Sequence, residues 1–297
     1  MKITPHGPSK GRVAQPEAGE ALEDIKREWL LEQLAEGGYV LLRGFPCDRE
    51  AFGDLVRRVS SRVTLDPARS FGGDDTVQKV DAGTDAIGMH IEHGNNPFTP
   101  HLTWFFSERA AKTGSQTTVA DGYDVWEALS PETRKAFSDQ DIVYIRQRVE
   151  ESKWKLLVFH LLGRSKPMDE ITIDDLHALV GDSTKIEFRL NEDNSVYYAY
   201  TTPAAHPTVF GERWAFANSI LGPSYNYEKP RITFADGTDI PESILREIET
   251  VAERLTVNID WEDGDVVVAD NTRMMHGRRE ILDTDRVLMN ALSFVAV

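Results

Sequence analysis

Cysteine is almost missing from this chain of 297 residues, since Cys47 is the only one. A single thiol excludes an internal disulfide and a thiolate-rich zinc site, and it is typical of a protein from a reducing compartment. Long apolar runs are also missing, so no segment is expected to cross a bilayer. The first 20 residues lack the apolar stretch of a secretory signal. The sequence therefore predicts a cytoplasmic protein without a membrane partner.

Basic residues are scarce relative to acidic ones. The chain has 33 Lys and Arg against 49 Asp and Glu, which gives a formal net charge of −16. An acidic surface repels nucleic-acid phosphates, so a nucleic acid is not an expected partner. No glycine-rich phosphate loop follows a predicted strand, which leaves a nucleotide-binding fold without support. The sequence leaves the oligomeric state open.

The chain length fits one large domain or two small ones. Proline and glycine interrupt residues 1–19, which predicts a flexible N-terminal tail ahead of a single domain over residues 20–297. An ill-defined, partly helical stretch predicts an insertion or lid around residues 140–185. Helices are predicted over 20–36, 48–59, 123–139 and 241–255. Strands are predicted over 39–45, 102–106, 186–190, 196–201, 257–261, 266–269 and 287–295. Short strands with helices around them favour a barrel or sandwich over an alternating parallel sheet.

Three residues form the most informative pattern in the sequence. His90 and Glu92 are separated by one residue, and on a strand such residues point to the same face. His276 follows a strand-like run far downstream. Two histidines and one carboxylate can bind one face of a non-haem iron(II) ion and leave three positions open for other ligands. Each motif alone is weak evidence, because a short His-x-Glu pattern often occurs by chance.

The segments around these residues resemble the taurine dioxygenase/clavaminate synthase-like superfamily of Fe(II)/2-oxoglutarate-dependent oxygenases. The resemblance extends from about residue 37 to the C-terminus. It is carried by the runs Gly-Met-His-Ile-Glu at 88–92, Trp-Phe-Phe at 104–106, Gly-Ser-Gln-Thr-Thr-Val-Ala-Asp-Gly at 114–122, and Gly-Asp through His-Gly-Arg at 264–278, together with Arg286.

The resemblance implies a mainly β fold with helical decoration (α+β), built on a double-stranded β-helix, which is also called a jelly-roll or cupin-like core. The two histidines and Glu92 would bind Fe(II) as the catalytic centre, with 2-oxoglutarate and O2 as co-substrates. Arg286 would pair with the far carboxylate of 2-oxoglutarate through two charge-assisted hydrogen bonds. Thr117 would donate a further one. Thr118 is a rival for this role, and only one of the two can point inward because neighbouring strand residues alternate.

The resemblance also implies a reaction and a partner: oxidation of a C–H bond, by hydroxylation or desaturation, of a small-molecule substrate, with an amino acid or an amino-acid-derived natural product as the expected class. Gln78, Lys79 and Tyr198 are tentative substrate contacts. Glu92 stands where many relatives have Asp, and it fills the site that related halogenases leave open for chloride, so halogenation is not expected. Two alternatives are a hydrolase or isomerase with zinc or manganese on the same barrel, and a barrel that binds a small molecule without turnover.

Overall fold

The computed structural model describes residues 1–66, 69, 76–80, 83–222 and 228–296. Strands predominate in these residues. They are β1 (Lys2–Pro5), β2 (Arg12–Gln15), β3 (Tyr39–Leu42), β4 (Arg62–Thr64), β5 (Gln78–Lys79), β6 (Ile87–His90), β7 (Leu102–Arg109), β8 (Thr117–Asp121), β9 (Ile142–Val149), β10 (Ile186–Leu190), β11 (Val196–Thr202), β12 (His206–Thr208), β13 (Gly211–Ala215), β14 (Arg231–Phe234), β15 (Val257–Ile259), β16 (Val266–Asp270), β17 (Met274–Arg278) and β18 (Val287–Phe294). The helices are α1 (Arg27–Gly37), α2 (Arg49–Val59), α3 (Gly122–Ala128), α4 (Pro131–Asp139), α5 (Glu151–Leu161), α6 (Ile173–Val180) and α7 (Glu242–Leu255).

Two sheets form the centre of the protein. The larger sheet has the strand order β1-β2-β3-β16-β7-β18-β4, with β5 paired to β18, and the smaller has the order β15-β8-β17-β6. Residues of β16 alternate between two cores: Val267 packs with Val119 of the smaller sheet, whereas Val268 packs with residues of α1 and α2 on the outer face. The two sheets face each other without closing into a barrel. This arrangement confirms the predicted mainly β, jelly-roll fold with helical decoration.

Helix boundaries follow local sequence signals. The side chain of Asp48 accepts a hydrogen bond from Ala51 N and caps α2, so the helix predicted over 48–59 is present. Ser130 caps α4 in the same way, with Pro131 in the first turn. The predicted helix over 123–139 is therefore two helices that meet at this cap. In the described residues, none of the helices combines the length and apolar character that a membrane span requires.

The N-terminal segment differs from the flexible tail that its composition predicts. Residues 1–19 contain β1 and β2, and β2 pairs parallel to β3, so the segment extends the larger sheet. Ala14 is fully buried there. Gly11 allows close contact, because a Cβ at this position would overlap the Tyr39 ring. The two strands have four residues each, and the two glycines and one proline between them obscured their pattern.

Residues 140–185 contain regular structure that the sequence pattern only partly indicates. They begin with β9, which joins a third sheet of strand order β10-β11-β9-β14. Helices α5 and α6 pack on this sheet through Trp154, Val158 and Leu176. The helical content agrees with the sequence, although strand β9 was not recognised. The lid role of this region stays a prediction.

Candidate metal centre and co-substrate pocket

The two candidate histidine ligands lie on neighbouring strands of the smaller sheet. His276 of β17 is directly opposite His90 at the end of β6, and the ring centroids are 4.4 Å apart. Glu92 completes the cluster, since one possible ligand atom from each of the three residues lies within 4.8 Å of the other two. The structure therefore brings together three side chains that are far apart in sequence.

Glu92 reaches this cluster from a turn and not from a strand. Strand β6 ends at His90, so the predicted alternation of strand faces does not place the carboxylate. The side chain of Asn271 does so instead: its Oδ1 accepts from Glu92 N at 2.8 Å, and its Nδ2 donates to Glu92 O at 3.0 Å and to Pro100 O at 2.9 Å. Asn271 is fully buried. One hint of this role is readable in the sequence, since Asn271 lies between a buried strand and His276.

Hydrogen bonding and burial prepare the three side chains for a cation. His90 Nδ1 lies 2.9 Å from Gly88 O, which can only accept, so Nδ1 carries the proton and Nε2 has a free lone pair. Burial, and then the neighbouring His276, lowers the pKa of His90 to about 4. Burial alone would raise the pKa of Glu92, but the Arg69 guanidinium and the His276 ring outweigh it and hold this pKa well below its ordinary value. Two imidazoles and a carboxylate are the donor set of a non-haem iron(II) centre.

Arg69 contacts the candidate metal ligand Glu92 directly. Its Nη2 lies 2.7 Å from Glu92 Oε1, and its Nε lies 3.3 Å from Asp66 Oδ2. Gln78 supports this segment, since its side-chain amide accepts from Asp66 N at 2.7 Å and donates to Asp66 O at 2.8 Å. Gln78, a tentative substrate residue, is thus 1% exposed and bound to protein backbone. Nothing in the sequence pattern had pointed to Arg69.

The strand register decides between the two candidate threonines. Thr117 of β8 is opposite Arg278 of β17, as Val119 is opposite His276. Directly opposite residues share a face, so Thr117 lies on the face of the candidate metal ligands. Thr118 points to the other face, where its hydroxyl lies 3.9 Å from the sulfur of Met89.

A partly buried cation comes from the larger sheet, where Arg286 precedes β18. The guanidinium of Arg286 is largely buried, and its Nη2 has no hydrogen-bond partner in the described part of the chain. Burial, and then the charge of Arg278, lowers the pKa of Arg286 to about 10. A desolvated guanidinium with a free donor is suited to bind a carboxylate.

Two tentative substrate residues have no direct link to the cluster. Lys79 is exposed on β5, on the opposite side from Gln78. Tyr198 lies in the third sheet, where its hydroxyl accepts from Arg146 Nε at 2.9 Å. Among the described residues, no hydrogen bond or ion pair joins Tyr198 to the three candidate ligands. The substrate roles of these residues stay predictions.

Comparisons with known proteins agree with the fold. The profile of the family described as "Taurine catabolism dioxygenase TauD, TfdA family" matches residues 2–292. A clavaminate synthase-like protein of Arabidopsis thaliana is 25% identical over 298 residues, which cover 89% of this chain and 84% of the relative.

Solved structures share the fold at low sequence identity. A taurine dioxygenase from Burkholderia xenovorans has a TM-score of 0.65 at 15% identity, with 100% of this chain and 90% of that chain covered. PvcB, described as an Fe, alpha-ketoglutarate dependent oxygenase from an isonitrile synthetic pathway, has a TM-score of 0.58 at 12% identity, with 96% of this chain and 86% of that chain covered. Because the family profile spans nearly the whole chain, the protein belongs to the TauD/TfdA dioxygenase family and is an oxygenase that uses Fe(II), 2-oxoglutarate and O2.

Proposed function

We propose that His90, Glu92 and His276 bind the Fe(II) of this oxygenase. The observation that supports this most directly is the approach of their ligand atoms to within 4.8 Å of one another. We propose that Arg286 and Thr117 bind the far carboxylate of 2-oxoglutarate. Two observations support this assignment: Nη2 of Arg286 is buried without a hydrogen-bond partner among the described residues, and Thr117 lies on the face of the candidate metal ligands.

The bound iron, with 2-oxoglutarate and O2, supplies the oxidising power for cleavage of a C–H bond. The protein's own residues position the reactants and exclude water. The Phe105 ring packs edge-on against His276 with centroids 5.3 Å apart, and Val119 and Leu288 belong to the same buried cluster. These apolar side chains fix the imidazole plane and limit access of bulk solvent to the reacting groups.

We propose that the substrate is an amino acid or an amino-acid-derived natural product, which the enzyme hydroxylates or desaturates in the cytoplasm. The clavaminate synthase-like relative and the isonitrile-pathway neighbour support this substrate class. Gln78, Lys79 and Tyr198 remain the proposed substrate contacts. Family membership argues against the hydrolase, isomerase and non-catalytic alternatives.

The metal and co-substrate assignment is tested by anaerobic absorption spectroscopy. Purified protein with Fe(II) and 2-oxoglutarate should show a weak visible charge-transfer band, because the keto acid chelates the metal. His276→Ala should abolish this band, whereas His177→Ala, at an exposed position of α6, should retain it. A wild-type protein that gives no band, and no succinate with a pool of amino acids and their N-acyl or peptidyl derivatives, would contradict the proposal.

A further inference from the structure

We infer that Arg278 is a second cationic residue of the co-substrate pocket and makes the pocket selective for 2-oxo acids that carry a second carboxylate. This inference rests on the proposed 2-oxoglutarate site. It adds a specificity-determining residue to the proposed pair of Arg286 and Thr117.

The position of Arg278 on β17 directs its side chain toward the pocket. It follows His276 by two residues, so both side chains leave the strand on the same face. Its direct cross-strand neighbour is Thr117, the residue proposed to contact the far carboxylate. The residue is 6% exposed. A buried guanidinium therefore leaves the strand beside the proposed carboxylate site, directly opposite the threonine on the neighbouring strand.

Two backbone carbonyls fix the position of this guanidinium. Arg278 Nη2 donates to Asp85 O at 2.6 Å and to Gly83 O at 3.3 Å. Both acceptors lie just before β6, the strand that ends in His90. A guanidinium held in this way is preorganised, so little rotamer freedom is lost when an anion binds next to it.

The charge of Arg278 also acts on Arg286, which enters from the opposite sheet. Two buried like charges repel each other, and this repulsion contributes to the lowered pKa of Arg286. An anionic group bound near both cations relieves the repulsion, whereas an uncharged group does not. The pair should thus discriminate between 2-oxo acids by the charge at the far end of the molecule.

A purely structural role is the alternative, in which Arg278 only holds residues 83–85 in front of β6. That role predicts that replacing Arg278 lowers the affinity for every 2-oxo acid by the same factor, because the metal-bound end of each ligand is the same. The selectivity role predicts that the affinities for different 2-oxo acids fall by different factors. The two roles are separated by the ratio of two affinities and not by either affinity alone.

The test compares 2-oxoglutarate with 2-oxopentanoate, which has the same chain length and a methyl group in place of the far carboxylate. Affinities are measured by calorimetry on protein loaded with Mn(II), so that no turnover occurs. Arg278→Gln should reduce the preference for 2-oxoglutarate by about tenfold or more, since one charge-assisted contact is lost. The affinity for 2-oxopentanoate should change by less than about threefold, the ordinary effect of context on a single contact. Arg279→Gln is the matched control, because Arg279 points away and pairs with Glu253 at 2.8 Å.

An equal loss of affinity for both ligands in Arg278→Gln would overturn the inference. If that variant does not fold, as judged by its thermal melting, Arg278→Lys serves in its place. Lysine keeps the charge of arginine but not its planar fork. A partial loss of the preference for 2-oxoglutarate supports the inference, and an equal loss of affinity for both ligands overturns it. A wild-type protein that binds neither 2-oxo acid would refute the proposed site itself. Tight wild-type binding with an unchanged ratio in the variants would refute only the role of Arg278.

Discussion

The backbone of Glu92 is held by Asn271, which lies 179 residues further along the chain. One side-chain amide satisfies both the N–H and the C=O of Glu92, and it also binds Pro100 O. Because Glu92 lies in a turn beyond β6, no strand hydrogen bonds fix it. The same turn that carries Asn271 leads into β17 and His276, so a single short segment positions two of the three proposed metal ligands.

Replacement of Asn271 by Ala should lower the metal affinity by more than the loss of folding stability alone would cause. Loss of the amide leaves buried backbone groups without partners, which should lower the free energy of unfolding by about 2–4 kcal/mol. The freed carboxylate should lose its fixed direction, and the affinity for Mn(II) should fall by about 10–100-fold, as for other residues that orient metal ligands. Calorimetric titration of the variant with Mn(II) measures this loss.

Asn290→Ala provides the matched control. Asn290 is also fully buried, and its amide donates to Trp104 O at 3.0 Å within the larger sheet. Its replacement should reduce stability to a similar degree and leave Mn(II) affinity unchanged. Equal losses of metal affinity in the two variants would show that general destabilisation, and not the orientation of Glu92, causes the effect.

At the scale of elements, the connection from β16 to β17 shows what the sequence reveals and what it hides. The buried strand before it and His276 after it follow a pattern that is readable along the chain. The partners of the connection are not readable, since Asn271 binds Glu92 and Arg273 pairs with Asp121 at 2.6 Å. Such contacts join residues more than 150 positions apart, and only the strand order brings them together. For the same reason, the sequence indicated the candidate ligands but neither Arg69 nor Arg278.

The last residue of β16, just before this connection, makes stability depend on pH. Asp270 is fully buried; its Oδ1 accepts from Thr272 N at 2.9 Å and from Thr272 Oγ1 at 2.6 Å. Burial raises the pKa of Asp270 from 3.8 to about 7, so the folded protein holds this proton more tightly than the unfolded chain does. The stabilising contribution is complete below pH 3.8 and is lost as the pH rises through about 7.

Asp270→Asn should therefore flatten this part of the pH profile, because the amide resembles the protonated acid and still accepts from Thr272. Relative to the wild type, the variant should gain free energy of unfolding between pH 4 and pH 8, by an amount on the order of 4 kcal/mol at most. Urea unfolding of both apoproteins at several pH values gives the difference. A constant difference across this range would contradict a raised pKa at Asp270.

At the scale of the whole molecule, the proposed ligands of iron and of 2-oxoglutarate belong to opposite sheets. The histidines and Thr117 come from the smaller sheet, whereas Arg286 precedes a strand of the larger one. The sequence predicted this jelly-roll because its motifs resemble a family with that fold, and it predicted seven of the eighteen described strands from their apolar runs. Among the strands it missed are β1 and β2, which are defined by the pairing of β1 with β2 and of β2 with β3 and not by their own pattern.

Binding of metal and co-substrate should consequently join the two sheets and stabilise the protein as a unit. At a free concentration of about 100 times the dissociation constant, 2-oxoglutarate should add about 2.7 kcal/mol to the free energy of unfolding of the Mn(II) form. For a chain of this size, that corresponds to a rise in Tm of roughly 5 °C.

Hydrogen exchange should slow in β8 and β17 and also in β18. With 2-oxopentanoate, which lacks the carboxylate for Arg286, slower exchange should be confined to the smaller sheet. Equal protection of β18 by both ligands would contradict the proposed contact between the larger sheet and the far carboxylate.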